Sequence, residues 1–594
     1  MKIRNHLLVG LILLSPLALQ SCFDNDYDLS DIDTTVRLQT TDLVVPLNID
    51  VLTLDQVLDI DDDSEIVKDT IITDDGRDSV IYAIKKEGTF DSDPINVKSF
   101  TAAKPTIKPT STTLNLNKEI TGLPIGITGS YSIKDVSPAT FNSEAKNVDE
   151  AIHSVVRIGV NTTFSITLKF GNLSNEVLSN MEFRNIKLQF PAGLVGTYNG
   201  KEIAKDGTLD LSDEVLHPDT NGKVQIAIDV TAVNAEEGDI TLDYDSHTLT
   251  FAGEINIVEG IVYINKVPAN TLPETVQFDL QPEMDAIHVS SFTGELEYNV
   301  NKFKIAPIDL SSLPDFLNQS GTDIMLENPQ IYLSVTNPMA KYGVYFQTGF
   351  ELTAKREGKE SQTYGLDNGT FQTPKSTNSE HQFLMAPGVP DHYYEGYENP
   401  EFVPFTGLRK VLTGLDGMPT SIEVEAVDPK MPTQRVENFL LDDELLPVDG
   451  SYAFYAPLQL AQGSKIKYVD TINEWNDEDV DALTIDSVKV NFDATTDLPY
   501  DIELSIVPIT LNEKEIAGVE CSKVMLYADK KNQPQPVELR IKGTIKHLDG
   551  IKIEARVISP ETDETVIPDV LRPDMKLYVK NSKITLTGYY EREL

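Results

Sequence analysis

The chain has 594 residues, a formal net charge of −45 and two cysteines. Such acidity leaves no basic patch for a phosphate backbone, which excludes a nucleic-acid partner. An apolar fraction of 40% suffices to build cores, and the length calls for several of them.

The first element is residues 1–21. Lys2 and Arg4 precede an apolar run from Leu7 to Leu19, with Pro16 near its end. A run this short, ending in small residues, predicts a cleaved signal peptide rather than a membrane span. Residues 22–40 follow as an acidic tether. Phe23-Asp24-Asn25-Asp26-Tyr27-Asp28 has no apolar periodicity, so it predicts a flexible segment.

Leu19-Gln20-Ser21-Cys22 resembles a bacterial lipobox. The resemblance implies cleavage before Cys22 and acylation of its thiol and new amino terminus. Two or more acyl chains hold a protein stably on a membrane, where one holds it marginally. The acidic run behind the cysteine resembles that of Bacteroidetes surface lipoproteins, where such residues act as an export signal. This implies that role for Asp24, Asp26 and Asp28, and an address on the outer face of the outer membrane. Tyr27 to Val36, Asp42 to Leu47 and Leu54 to Leu58 are similar to the start of such lipoproteins of unknown function, so no activity carries over.

Further along, apolar residues alternate with polar ones. Ile166-Thr-Leu168-Lys-Phe170, Val224 to Val230, Ile331-Tyr-Leu333-Ser-Val335 and Ile584-Thr-Leu586 all show period two. Turn signals such as Asn199-Gly200, Asp206-Gly207 and Asn221-Gly222 separate such runs. Strands with one wet face and hairpin turns predict an all-β chain of tandem antiparallel β-sandwiches, Ig-like or LEA-like. The best helical patterns are Asn147 to Arg157 and Leu310 to Asn318.

Two anchors recur. A glycine opening an aromatic strand occurs at Gly129, Gly294 and Gly450, and an alternating strand begins at Ile166, Ile331 and Val488. Their spacing is 37, 37 and 38 residues. This suggests three repeats, at 125–289, 290–444 and 445–594. The N-terminal β region, 41–124, is either a small domain or strands completing the first sandwich. Asn328-Pro329 and Asn337-Pro338 flank the Ile331 strand and look like the sandwich of late-embryogenesis-abundant type 2 proteins.

Cys521 is the one cysteine besides Cys22. With Cys22 acylated no internal disulfide is available, and Val519-Glu520-Cys521 predicts a small buried core residue. The eight histidines are scattered without metal-ligand spacing, and no nucleophile elbow or phosphate loop occurs. Calcium is the one cofactor to consider, at Asp59, Asp61 and Asp63 or at Asp477, Asp479 and Asp481, although neither run matches an EF-hand loop. Solvated loops are the preferred account of both runs.

The segment Asp391 to Phe405 breaks regular structure with Gly396, Pro400 and Pro404 while carrying Tyr393, Tyr394, Tyr397, Phe402 and Phe405. Exposed together, the tyrosines would stack on sugar rings, but a long loop pinned by its own aromatics is the reading preferred here. The expected function is therefore a non-catalytic binding, scaffold or accessory protein that meets the membrane through its lipid and a surface protein or glycan through its loops. A surface glycan binder serving a nutrient transporter is one alternative, and a hydrolase with carboxylates in an inter-domain cleft is another. Assembly by strand exchange would require the C-terminal strand, Lys583 to Tyr590, to leave its own sheet unfilled.

Overall fold

The alternation becomes structure in the way sheets demand. In the strand Ile152–Gly171, Phe164, Ile166, Leu168 and Phe170 are buried between the half-exposed Ser165, Thr167 and Lys169. A computed structural model describes residues 35–593. Outside the description lie residues 47–50, 56–59, 61–64, 73–77, 120–126, 135, 172, 237–239, 269–270, 302, 314–316, 318–319, 376–378, 414–417, 444, 476–479 and 561–568. Cys22, Asp24, Asp26, Asp28, Asp59, Asp61, Asp63, Asp477 and Asp479 lie outside the described residues, as does the side chain of Asp481. The described chain is nearly all β, in several antiparallel sheets. Among the described residues no helix is long and apolar enough to cross a membrane.

The N-terminal region contributes β1 (Thr35–Pro46), β2 (Val51–Thr53), β3 (Asp78–Asp91) and β4 (Thr110–Glu119). Next come β5 (Ile152–Gly171), β6 (Lys223–Asn234) and β7 (Thr275–Met284), then β8 (Gln330–Thr336), β9 (Glu380–Ala386) and β10 (Asp449–Pro457). The C-terminal part holds β11 (Lys465–Ile472), β12 (Thr484–Thr496), β13 (Asp501–Ile509) and β14 (Lys523–Leu526). It ends with β15 (Gln535–Lys546), β16 (Gly550–Ile558) and β17 (Lys576–Glu593).

Three sheets share one antiparallel order. The first runs β6-β5-β7-β4. The second runs β9-β8-β10-β3, and the third runs β15-β12-β17-β1. The N-terminal strands therefore neither form a small domain nor complete the first sandwich alone. They close the three sheets in reverse order, so β1 joins the last strand of the chain. Ile166, Ile331 and Val488 fall on β5, β8 and β12, which hold the same place in their sheets.

Glycine anchors mark a different feature. Gly450 lies on β10, which pairs back with β8 although it begins beyond residue 445. Gly294, on the strand Ile287–Asn299, pairs back with β5. A Cβ on Gly450 would collide with the Ser334 carbonyl, and one on Gly294 with that of Ser154. Close backbone approach, rather than a repeat start, is what requires glycine there.

Each sheet packs on another. The first faces strands Ile127–Ile133, Met181–Gln189 and Thr248–Val267, with Tyr131, Met181 and Val262 set against Leu114, Phe170 and Val276. In the second, Phe383 of β9 meets Phe371 of the strand Phe371–Gln372, which pairs with Gln347–Lys355, at 4.9 Å. The third faces the sheet β11-β16-β13-β14.

Two expectations are corrected, and a third falls partly outside the described residues. Asn147 to Arg157 is not helical: Asn147 sits at φ 61° and Ile152 onward is strand. β-Branched Ile152, Val155 and Val156 suit the extended backbone, and the pairing of Ile152 with Leu296 and of Val155 with Gly294 overrides the local pattern. Of Leu310 to Asn318, residues 314–316 and 318 lie outside the described residues, 311–313 form a turn, and Leu317 has a 3-10 helical backbone. The strand-exchange condition is not met either, since β17 is paired on both sides, with β12 and β1.

Candidate functional site

The aromatic loop leaves β9 and returns as the strand Glu401–Pro404, which pairs in parallel with β9. It lies over the outer face of the second sheet, where Ala83, Ala386 and Ala453 leave room for rings. Tyr394 packs there against Tyr332 and Tyr455, with ring centroids 5.7 and 5.1 Å away. Tyr397 lies 4.9 Å from Tyr332.

Hydrogen bonds fix the cluster. The Tyr394 hydroxyl donates to the Glu87 carboxylate, and the Tyr455 hydroxyl donates to Asp69 Oδ2 at 2.8 Å. Lys85 Nζ stands 4.8 Å from the Tyr394 ring centre. Burial first, then the acceptor carboxylates, push both phenols well above the ordinary tyrosine range.

The jointly exposed platform is therefore not formed. Tyr393 and Phe402 face solvent, Tyr394 is buried, Tyr397 is half-buried and Phe405 is fully buried. Rings of this size gain more by covering a sheet face than by standing in water. Cys521 departs from expectation in the other sense, being exposed. It sits on the two-residue strand Glu520–Cys521, which pairs with β15 at Lys542 and Ile541. Among the described residues, no three His, Cys, Asp or Glu side chains converge as a metal would need.

What the structure adds lies in the third sandwich. Between its two sheets is an apolar cavity of about 200 Å³, against about 40 and 20 Å³ for gaps in the first sandwich and beneath Leu326 and Leu460. The deep wall is built by Val490 of β12, Leu504 and Ile506 of β13, Leu539 of β15 and Ile551 of β16, all buried. The outer part is lined by Leu52 of β2, Tyr468 and Asp470 of β11, Ile553, Ala555 and Val557 of β16, and Leu577 of β17.

Alternation explains which residues turn inward. On β11 the inward register is Ile466, Tyr468, Asp470, Ile472, and on β16 it is Ile551, Ile553, Ala555, Val557. In a filled sandwich all of these would be covered by the opposite sheet. Here Ile553, Ala555 and Val557 stay half-exposed and Asp470 is exposed. The mouth thus lies on the side of β11 and β2. Tyr468 and Asp470 are the polar side chains in the lining, and Asp470 Oδ1 accepts the Thr471 amide at 2.8 Å.

Such a site can desolvate an apolar ligand and orient it through two polar groups at its rim. The signal in the sequence was a single one: a carboxylate in the inward register of an otherwise apolar strand.

No family model and no curated relative matches the chain. Among solved structures, a protein from Parabacteroides distasonis described as secreted matches at 15% identity and a TM-score of 0.34. The match covers 50% of this chain and 89% of that one. A likeness at this level says nothing of the site.

Proposed function

We propose that this is a lipid-anchored binding protein of the outer membrane that performs no chemistry. Cys22 carries the acyl chains, Asp24, Asp26 and Asp28 direct export, and the body faces outward. The observation that supports binding is the cavity of the third sandwich. Its lining is almost wholly aliphatic, with one carboxylate, Asp470. Hydrolysis of a glycosidic bond needs two. β1, the first strand after the tether, belongs to the same sandwich, so the anchor holds the site at the membrane. The glycan reading has lost its platform, because Tyr394 and Tyr397 are turned onto the second sheet.

Two measurements test this. Metabolic labelling with palmitate, combined with protease treatment of intact cells, reads anchoring and orientation. We expect label on the wild type, none on Cys22→Ala, and digestion without lysis. Full-length Cys22→Ser protein, purified without detergent, should then bind one equivalent of an anilinonaphthalene dye saturably. Unlabelled wild type removes the anchor reading, and absence of dye binding removes the binding reading.

A further inference from the structure

We propose that the cavity of the third sandwich accepts one acyl chain of a single-chain lipid with an uncharged head, the head resting at Asp470. The proposal deepens the binding reading above by naming the ligand class.

Shape comes first. The lining on β16 runs from Ile551 to Val557. Those six steps span roughly 20 Å at about 3.3 Å per residue, between sheets that stack about 10 Å apart. The space is a slot, long in one direction and one side chain deep in the other. An apolar cavity of about 150 Å³ already admits a benzene-sized ligand, and this one is larger at about 200 Å³. A sugar, nucleotide or peptide would strand its hydrogen-bonding groups against isoleucine, leucine and valine, at a cost of several kcal/mol. A hydrocarbon chain has none to strand.

The mouth selects the head. Asp470 is exposed on β11, beside Tyr468 and within the same lining as Leu52. A carboxylate there, on a chain of net charge −45, repels a fatty-acid carboxylate or a phosphate. Hydroxyls of a glycerol head can donate to it instead. The source of such lipid is close by, because Thr35 is thirteen residue steps from Cys22, at most about 45 Å of extended chain.

The test uses full-length Cys22→Ser protein made without detergent, with the anilinonaphthalene dye as reporter. Monooleoylglycerol should displace the dye at least tenfold more tightly than oleate at pH 7, and shorter monoglycerides should bind progressively more weakly. Ala555→Phe, which puts a ring into the slot, should weaken monooleoylglycerol at least tenfold while raising the melting temperature. That rise separates a filled site from a misfolded one. Asp470→Lys should close or invert the preference over oleate.

Dye that binds but is displaced by no lipid overturns the ligand class and leaves the binding reading standing. Equal affinity for oleate and monooleoylglycerol overturns the role of Asp470, and an unchanged affinity in Ala555→Phe overturns the location. If the acylated wild type binds no dye while Cys22→Ser does, the chain on Cys22 fills the slot and the free single-chain lipid is overturned.

Discussion

Tyr332 and Tyr131 show how single side chains tie stability to pH. Both are fully buried, and burial pushes each phenol up to about 12 from an ordinary value of 10. A raised phenol pKa means the fold binds the proton more tightly than the unfolded chain. The stability these groups contribute is complete below pH 10 and is lost as pH rises from 10 to about 12. We expect the tyrosinate absorbance of Tyr131 and Tyr332 to appear only together with loss of near-ultraviolet circular dichroism. Complete ionisation while the dichroism persists would contradict this. In the aromatic loop, Tyr394→Ala should cost about 3 kcal/mol, near the range for deleting a buried ring. Tyr394→Phe should cost only about 1 kcal/mol, since the exposed Glu87 can turn to water. Tyr393→Ala should be close to neutral; urea midpoints compare all three. Sequence put five aromatics on one loop, whereas Phe402 lies in the strand Glu401–Pro404, and it did not say which of them point inward. That depends on the alanines of three other strands, and no local pattern encodes them.

Period-two alternation named the strands well, because each needs one buried face whatever its partner. It named Asn147 to Arg157 badly, because a short apolar spacing fits helix and strand alike until a neighbouring strand decides. Alternation also says nothing about whether a strand is central or at an edge. β17 comes last in the chain and still holds an interior place, since Thr585 pairs with Val44 on one side and Lys489 on the other. Thr585→Pro removes a donor and adds a ring in the middle of that ladder, so it should cost ~3 kcal/mol or more. A chemical-denaturation midpoint shifted by less than a third of that would mean β17 is not central. The cavity escaped sequence reading for a related reason. Ile553, Ala555 and Val557 look the same in a string whether the opposite sheet touches them or not. Only Asp470, a charge at an inward position, hinted that this interior meets water.

At the scale of the molecule, the unexpected feature is the nesting of β1, β3 and β4. Thr35 pairs with Glu593, Asp91 with Asp449 and Thr110 with Leu280. These are long-range contacts whose partners no segment of the chain specifies by itself, so reading along the sequence could not assign them. They also set an order of assembly. β1 has no partner until the last residues exist, and contacts so distant in sequence form slowly. The nesting makes a sharp prediction for deletion of residues 35–46. Were the N-terminal region a separate unit, losing β1 would disturb its own neighbours β3 and β4. In the nested arrangement the damage appears at the far end of the chain, where β17 becomes an unprotected edge from Lys583 to Glu593. Hydrogen exchange should therefore accelerate in β17 and β12 and leave β5, β8 and β10 as they were. Dye binding should weaken in the same variant, because β17 carries Leu577 and Val579 into the cavity. Faster exchange in β3 or β4, with β17 unchanged, would mean that the N-terminal strands belong together after all.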